Sequence, residues 1–185
     1  MVELCQGVLD GKGMPAEWVL SVMVPIFKGK GDAMSCGAYR GVKLLEHAMK
    51  IVEKVLEKRL QCMVKVNELQ FGFMPGKETV DVVFILRSLQ EEYLEKMKKL
   101  YMCFVDLEKA FDRIPRKVVE VAMRKRSVPE VMVRGVMSLY EGTKTRVRVG
   151  QELSEELEVK ICVQQGSVLS PLVFAIVVDV VTESV

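Results

Sequence analysis

In the stretch YMCFVDLEKAFDRI, residues 101–114, an apolar run meets Asp106, and a second acid, Asp112, follows six positions later. A carboxylate held at the end of an apolar strand suits a divalent cation, because hard cations take oxygen ligands and leave the rest of their shell to phosphates. Two-metal phosphoryl chemistry asks for more, since ions ~3.5–4 Å apart must be held by several carboxylates. The chain has six aspartates (Asp10, Asp32, Asp81, Asp106, Asp112 and Asp179), and no two are adjacent. Asp106 is therefore the strand-end candidate, although acids in that position more often only cap a turn. Asp112 reads as a structural residue at the turn into the next helix. Nucleophilic catalysis has less support, because the single imidazole, His47, lies on a predicted helix far in sequence from a Ser or Cys partner. Arg113, Arg116, Lys117, Arg124, Lys125 and Arg126 gather around one predicted helix, with Arg146 and Arg148 on a hairpin. Such a cluster can track phosphates, but a solvated helix face is its commoner explanation.

The elements that must position these residues follow from periodicity. Trp18–Phe27 reads as a short apolar strand ending in a Gly/Lys turn, Lys28–Asp32; its "GKGD" lacks the full phosphate-loop pattern and is read as a plain turn. Leu45, Met49, Val52, Leu56, Leu60 and Met63 repeat at helical spacing, with Glu46 and Lys50 paired outside and His47 on the surface. After the loop NELQFGFMPGK, a second helix is predicted over Thr79–Leu100, striped by Val82, Leu86, Leu89, Tyr93, Met97 and Leu100 and paired through Glu92–Lys96 and Glu95–Lys99. Tyr101–Val105 is predicted as the strand that Asp106 ends. Pro115–Arg126 should be helical with Val118, Val119, Ala122 and Met123 inward, and Pro129 should start another helix ending near Gly142. Thr145–Val149 and Leu157–Ile161 alternate at period two as a hairpin, and an apolar, buried helix follows from Pro171. This order predicts an α+β fold: a helical lobe over residues 1–98 and an α+β lobe over 99–185.

Bulk properties exclude several classes. Half the residues are apolar and 28% are charged, as in a globular domain, and the net charge of +2 argues for neither nucleic acid nor membrane. The five cysteines are scattered, with no Cys-x-x-Cys pair, which argues against a zinc site or a disulfide framework and for a reducing compartment. The N-terminus lacks a signal-peptide pattern. The most apolar run, Val168–Val181, is too short to span a bilayer and contains Asp179. An intracellular location, cytoplasmic or nuclear, is expected.

Four stretches in series say more: VPIFKGKGD…YRGVKLLEHAMKIVEKVLEKRL, QFGFMPGKETVDVVFILRSLQEEYLEKMK, CFVDLEKAFDRIPR and VQQGSVLSPLVFAIVVD. Their order and separations resemble the reverse transcriptase domain of non-LTR (LINE-type) retrotransposons, over about Trp18–Asp179. The resemblance implies a right-hand polymerase, with fingers from the first half and a partial palm, a mixed antiparallel sheet packed with helices, from the second. It implies that Asp106 is a catalytic metal ligand and that Leu107 offers its backbone carbonyl to the same ion. Lys109 and Ala110 match positions whose amides meet an incoming triphosphate. Phe111 matches the bulky residue that excludes a 2′-hydroxyl, while Gln165 and Gly166 match the loop against nucleotide and template, and glycine there permits close backbone approach. Lys77 is implied as a triphosphate contact from the fingers; Arg113, Arg116 and Lys117, from the basic cluster noted above, are the candidate nucleic-acid contacts. Two magnesium ions, an RNA template, a DNA primer and deoxynucleotides are the implied cofactors and partners, with no membrane.

Departures from the family pattern shape the expectation. Met74 stands where the family has an arginine, Gln164 where RQG is common, and Glu78 where a small residue is usual. The palm strand with the adjacent Asp pair should follow shortly after Asp179, and the chain ends first. Asp179 matches a helix position and is no substitute. The 185 residues are thus expected to be a polymerase fragment inactive alone, with exposed palm surface open to self-association. The alternative is a degenerate remnant that at most binds nucleic acid or a partner. A metal-dependent phosphohydrolase using Asp106 is a distant third, without a second acid to support it.

Overall fold

A computed structural model describes residues 2–11, 14–159, 163 and 166–183, with the backbone alone for Val2, Ala16, Glu17 and Asp112. Helices α1 (Val2–Leu9) and α2 (Ala16–Val19) lead into strand β1 (Leu20–Phe27), and a 3-10 turn at Cys36–Ala38 precedes β2 (Tyr39–Leu44). Then come α3 (His47–Met63), α4 (Thr79–Glu95), the one-turn α5 (Ala110–Arg113), α6 (Arg116–Lys125) and α7 (Glu130–Ser138). Strands β3 (Lys144–Val149), β4 (Glu152–Leu153) and β5 (Leu157–Glu158) follow, and then α8 (Ser170–Thr182).

The sheet is mixed, so the α+β expectation holds. β1 returns antiparallel to β2, pairing Phe27 with Tyr39, and its other edge runs parallel to β3, pairing Val22 with Arg146. β4 and β5 both fold back on β3. β1 and β3 lie on opposite sides of the expected division near residue 98, so one sheet spans it. The core spans it as well. Leu56 and Leu60 of α3, Met123 of α6, Val133 of α7 and Ile176 of α8 are all essentially without solvent contact.

Helix boundaries follow their local chemistry. Pro115 and Pro129 occupy the N-caps of α6 and α7, where a missing N–H costs nothing. α4 stops at Glu95 instead of reaching residue 100. Met97 turns left-handed (φ 51°), its N–H donates to the Leu94 carbonyl, and the Lys98 N–H donates to the Tyr93 carbonyl, a Schellman closure. Glu92–Lys96 therefore forms as an ion pair, whereas Lys99 lies past the helix end and is not in register with Glu95. Val82, Leu86 and Tyr93 are half-buried, and Phe84 on the outer face is 70% exposed. Glu46 precedes the first turn of α3, whose ion pair is Lys54–Glu57 at 2.5 Å. Val118 of α6 faces outward, while Val119, Ala122 and Met123 are buried as expected.

The strand predicted at Tyr101–Val105 is not present. Residues 101–107 have no regular structure, and Tyr101, Phe104 and Val105 are each at least 77% exposed. Strand propensity does not order a single segment, because a strand needs a neighbour for its N–H and C=O groups. Among the described residues no strand lies beside this one. No helix among the described residues is long and apolar enough to cross a membrane.

Candidate active site

Asp106 projects from this unpaired segment, exposed, at the rim of a groove of about 740 Å³. Leu107, Glu108 and Arg113 line the same rim, and Phe174, Val178 and Val181 of α8 form the apolar floor. Glu108 pairs with Arg113 at 3.5 Å. Among the described residues no three acid, Cys or His side chains gather as a metal site would require. Asp106 and the Leu107 carbonyl, with Glu108 engaged by Arg113, make an incomplete donor set for a pair of divalent ions, so the described residues do not by themselves fit the two-metal arrangement.

On the other side of Phe174 lies a second cleft, of about 390 Å³, and here two of the sequence candidates, Phe111 and Gly166, meet. Arg40 of β2, Phe73 of the 67–77 loop, Phe111 of α5 and Gly166 with Ser167 before α8 line it. The Phe111 ring stacks on Phe174 with centroids 4.6 Å apart and 25° between planes. Phe73 meets both edge-on, at 6.0 Å and 83° from Phe111 and at 6.3 Å and 89° from Phe174. The Phe111 carbonyl accepts the Val163 N–H at 3.2 Å, fixing the backbone below the ring. Lys109, left-handed at φ 52°, turns the chain into α5 so that Lys109 and Ala110 form its entrance. Helix entrances leave amides outside helical bonding, the property a triphosphate oxygen would use.

Gly166 has a physical requirement for glycine. Its φ is +101°, and a Cβ there would stand 2.5 Å from the Lys43 carbonyl oxygen of β2. The loop is tied down further along. Glu53 of α3, only 2% exposed, accepts the Val168 N–H at 2.9 Å, and the Ser167 hydroxyl accepts the N–H groups of Leu169 and Ser170 at 3.2 Å each. Burial pushes the Glu53 carboxyl above its ordinary range, against the opposing pull of the Ser167 hydroxyl, the Val168 amide and Lys50. Gln165 lies outside the described residues, as does Gln164.

Other candidates are placed differently from the sequence expectation. The Lys77 ammonium donates to the Glu68 carbonyl and, at 3.1 Å, to the Gln70 carbonyl, and it lies 5.0 Å from the centre of the Phe71 ring. It closes its own loop instead of entering the cleft. Arg116 is a structural clasp: it donates to the Thr143 hydroxyl at 2.8 Å and to the Val159 carbonyl, and it sits over the Tyr140 ring. Lys117 pairs with Glu120 at 2.8 Å, and Arg124 pairs with Glu120 and Glu130 at 2.7 Å each. These partners hold Glu120 and Glu130 below the usual carboxylate range, so much of the charge on α6 is internally matched. Asp112 lies within α5, before the Pro115 cap, and its side chain is outside the described part. Asp179 is 3% exposed, pairs with Arg126 at 2.8 Å and accepts the Asn67 N–H at 3.0 Å, so it is a structural tie as its helix position implied.

Sequence reading missed Arg40 and Phe73. β2 alternates poorly, because Gly41 interrupts it, so the strand that presents Arg40 had no period-two signal. With β1 ending in the Lys28–Asp32 turn, a returning strand was nonetheless required, and it places Arg40 beside Lys28 and Lys30 in a basic pocket. Phe73 sits in a loop, with left-handed φ 61°, where no periodicity operates.

The family model described as "Reverse transcriptase (RNA-dependent DNA polymerase)" matches residues 27–185. The chain is 27% identical over 161 residues to the "Retrovirus-related Pol polyprotein from type-1 retrotransposable element R2" of Nasonia vitripennis, covering 87% of this chain and 15% of that protein. It is 28% identical over 169 residues to the "Probable RNA-directed DNA polymerase from transposon X-element" of Drosophila melanogaster, covering 88% and 18%. With the "RNA-directed DNA polymerase from mobile element jockey" of Drosophila funebris it shares 26% over 169 residues, covering 89% and 18%. The chain thus spans less than a fifth of the length of these three relatives. Their names agree with the four sequence stretches and with the mixed α+β fold, and the chain belongs to the reverse transcriptase family, in its non-LTR retrotransposon branch.

Proposed function

We propose that the chain forms the fingers (1–98) and part of the palm (99–185) of an RNA-directed DNA polymerase from a non-LTR retrotransposon. The Arg40–Phe111–Gly166 cleft is its deoxynucleotide site. The observation that carries this reading is the convergence of three stretches far apart in sequence on one cleft. β2 supplies a guanidinium, α5 a flat ring and the 166–170 loop a glycine that lets it pack close against β2. Arg40, with Lys28 and Lys30 beside it, supplies charge of the sign a triphosphate needs. The Phe111 ring closes the side on which a ribose 2′-hydroxyl would stand, so a deoxyribose is accepted and a ribose is not.

Transfer of the nucleotide to a primer 3′-hydroxyl on an RNA template belongs to a longer protein, to whose divalent site Asp106 and the Leu107 carbonyl contribute. Arg113, exposed beside Asp106, and Lys117, exposed on α6, are the candidates for phosphate contact, whereas Arg116 acts through packing. A second reading, a remnant that binds without catalysing, draws on the matched charges of α6 and the lone aspartate of the Asp106 groove.

Titration of the chain with dATP and with ATP in magnesium tests the proposal. The chain should prefer dATP, and Phe111→Ala should narrow that preference by about tenfold by admitting ATP, the scale of one steric exclusion in a shaped pocket. Equal affinity of the unmodified chain for the two nucleotides, or no binding of either, would count against it.

A further inference from the structure

We propose that Phe73 is a specificity-determining residue: it is the fingers-side buttress of Phe111, and sugar selection depends on it as well as on Phe111 itself. The inference rests on the reading of Phe111 as the sugar gate. A gate ring excludes an oxygen only while its orientation is fixed. Phe111 is stacked on one face by Phe174, which belongs to the same half of the chain. Stacking alone leaves a ring free to slide in its own plane. Phe73 meets both rings edge-on from the other half of the chain and lines the cleft beside Phe111, where it opposes that sliding.

Two features indicate that this placement is specified. Phe73 holds a left-handed φ of 61°, a conformation that costs a bulky residue free energy and persists only where the surroundings impose it. The residue is also 55% exposed, so burial does not account for an aromatic there. The loop itself is braced. The Lys77 ammonium bridges the Glu68 and Gln70 carbonyls and lies against Phe71, and the Gln70 side-chain amide donates to the Gly72 carbonyl at 3.0 Å. Lys77 is thus a positioning residue that acts through Phe73.

The test compares dATP with ATP binding, in magnesium, for the unmodified chain, Phe73→Ala, Phe73→Tyr and Lys77→Met, with Phe111→Ala alongside. Loss of an edge-on ring contact corresponds to about a two- to tenfold change. Phe73→Ala should therefore reduce the dATP preference by that factor while dATP affinity stays within about twofold, and Phe73→Tyr should restore the preference. Lys77→Met should reduce it in the same direction as Phe73→Ala. If Phe111→Ala changes selection and Phe73→Ala does not, the buttress is refuted and the gate stands. If Phe73→Ala weakens both nucleotides equally, Phe73 is a general packing residue and the proposal fails. An unmodified chain that does not distinguish the nucleotides removes the gate, and the buttress with it. Thermal unfolding of each variant separates selection from folding: a Phe73→Ala chain that is folded and unselective supports the proposal, and if that variant unfolds, retained selection in folded Lys77→Met overturns it.

Discussion

Two aspartates of equal chemistry have opposite settings. Asp106 is exposed on an unpaired segment, whereas Asp179 is buried in an ion pair with Arg126 and holds the Asn67 amide. Removing one partner of a buried pair leaves an uncompensated charge and typically costs about 3–5 kcal/mol, while changing an exposed side chain typically costs within about 0.5 kcal/mol. Asp179→Ala should therefore destabilise the chain by about 3 kcal/mol in urea unfolding, toward the lower figure because Arg126 keeps Glu183 at 3.1 Å. Asp106→Ala should leave the midpoint nearly unchanged. Comparable losses from both would mean that Asp106 has a structural role that this account does not give it. At this scale the sequence was informative in an uneven way. Asp106, Phe111 and Gly166, named from motif wording, each border a groove, Asp106 the one over α8 and Phe111 with Gly166 the other. The engagement of Arg116 and Lys77 was invisible, since their partners are backbone carbonyls of Val159, Glu68 and Gln70, which leave no mark on residue type.

Among the elements, the tie between α3 and the entrance of α8 is the most informative. Glu53 reaches from the buried face of α3 to the Val168 amide, two residues after Gly166, and so fixes the loop that borders the cleft. Its carboxyl is held above the ordinary range, chiefly by burial. The folded chain therefore keeps a proton that the unfolded chain has already released. Stability drawn from this group falls as pH rises from the ordinary carboxyl value to the raised one, and it stays low above that. Glu53→Gln retains an acceptor for Val168 and removes the titration. The melting temperature of Glu53→Gln relative to the parent should rise as pH increases from about 4.5 toward neutrality and then level off. A difference that is flat or falls with pH would contradict the assignment. Carboxylates held low by ion pairs, such as Glu120 and Glu183, lose their contribution at acid pH in both proteins and cancel in the comparison. Helices α3, α6, α7 and α8 were legible because their stripes or proline starts are local signals. The strand at Tyr101–Val105 was not, because a strand depends on a neighbour and its own residues report only willingness.

Across the whole molecule, one sheet and one core link the two regions that the sequence divides near residue 98. The cleft lies where they meet, with Arg40 and Phe73 from the first and Phe111 and Gly166 from the second. The proposed deoxynucleotide site thus draws on both regions, whereas no group of three metal-ligating side chains gathers around Asp106 among the described residues. The exposed Tyr101, Phe104 and Val105 beside the groove under Asp106 are an apolar surface of the kind that promotes association. The most direct measurement is primer extension by the 185-residue chain on a primed RNA template, with magnesium and all four deoxynucleotides. No incorporation above background is expected. Incorporation by the unmodified chain that disappears with Asp106→Asn would contradict it, because a single aspartate would then suffice for the chemistry.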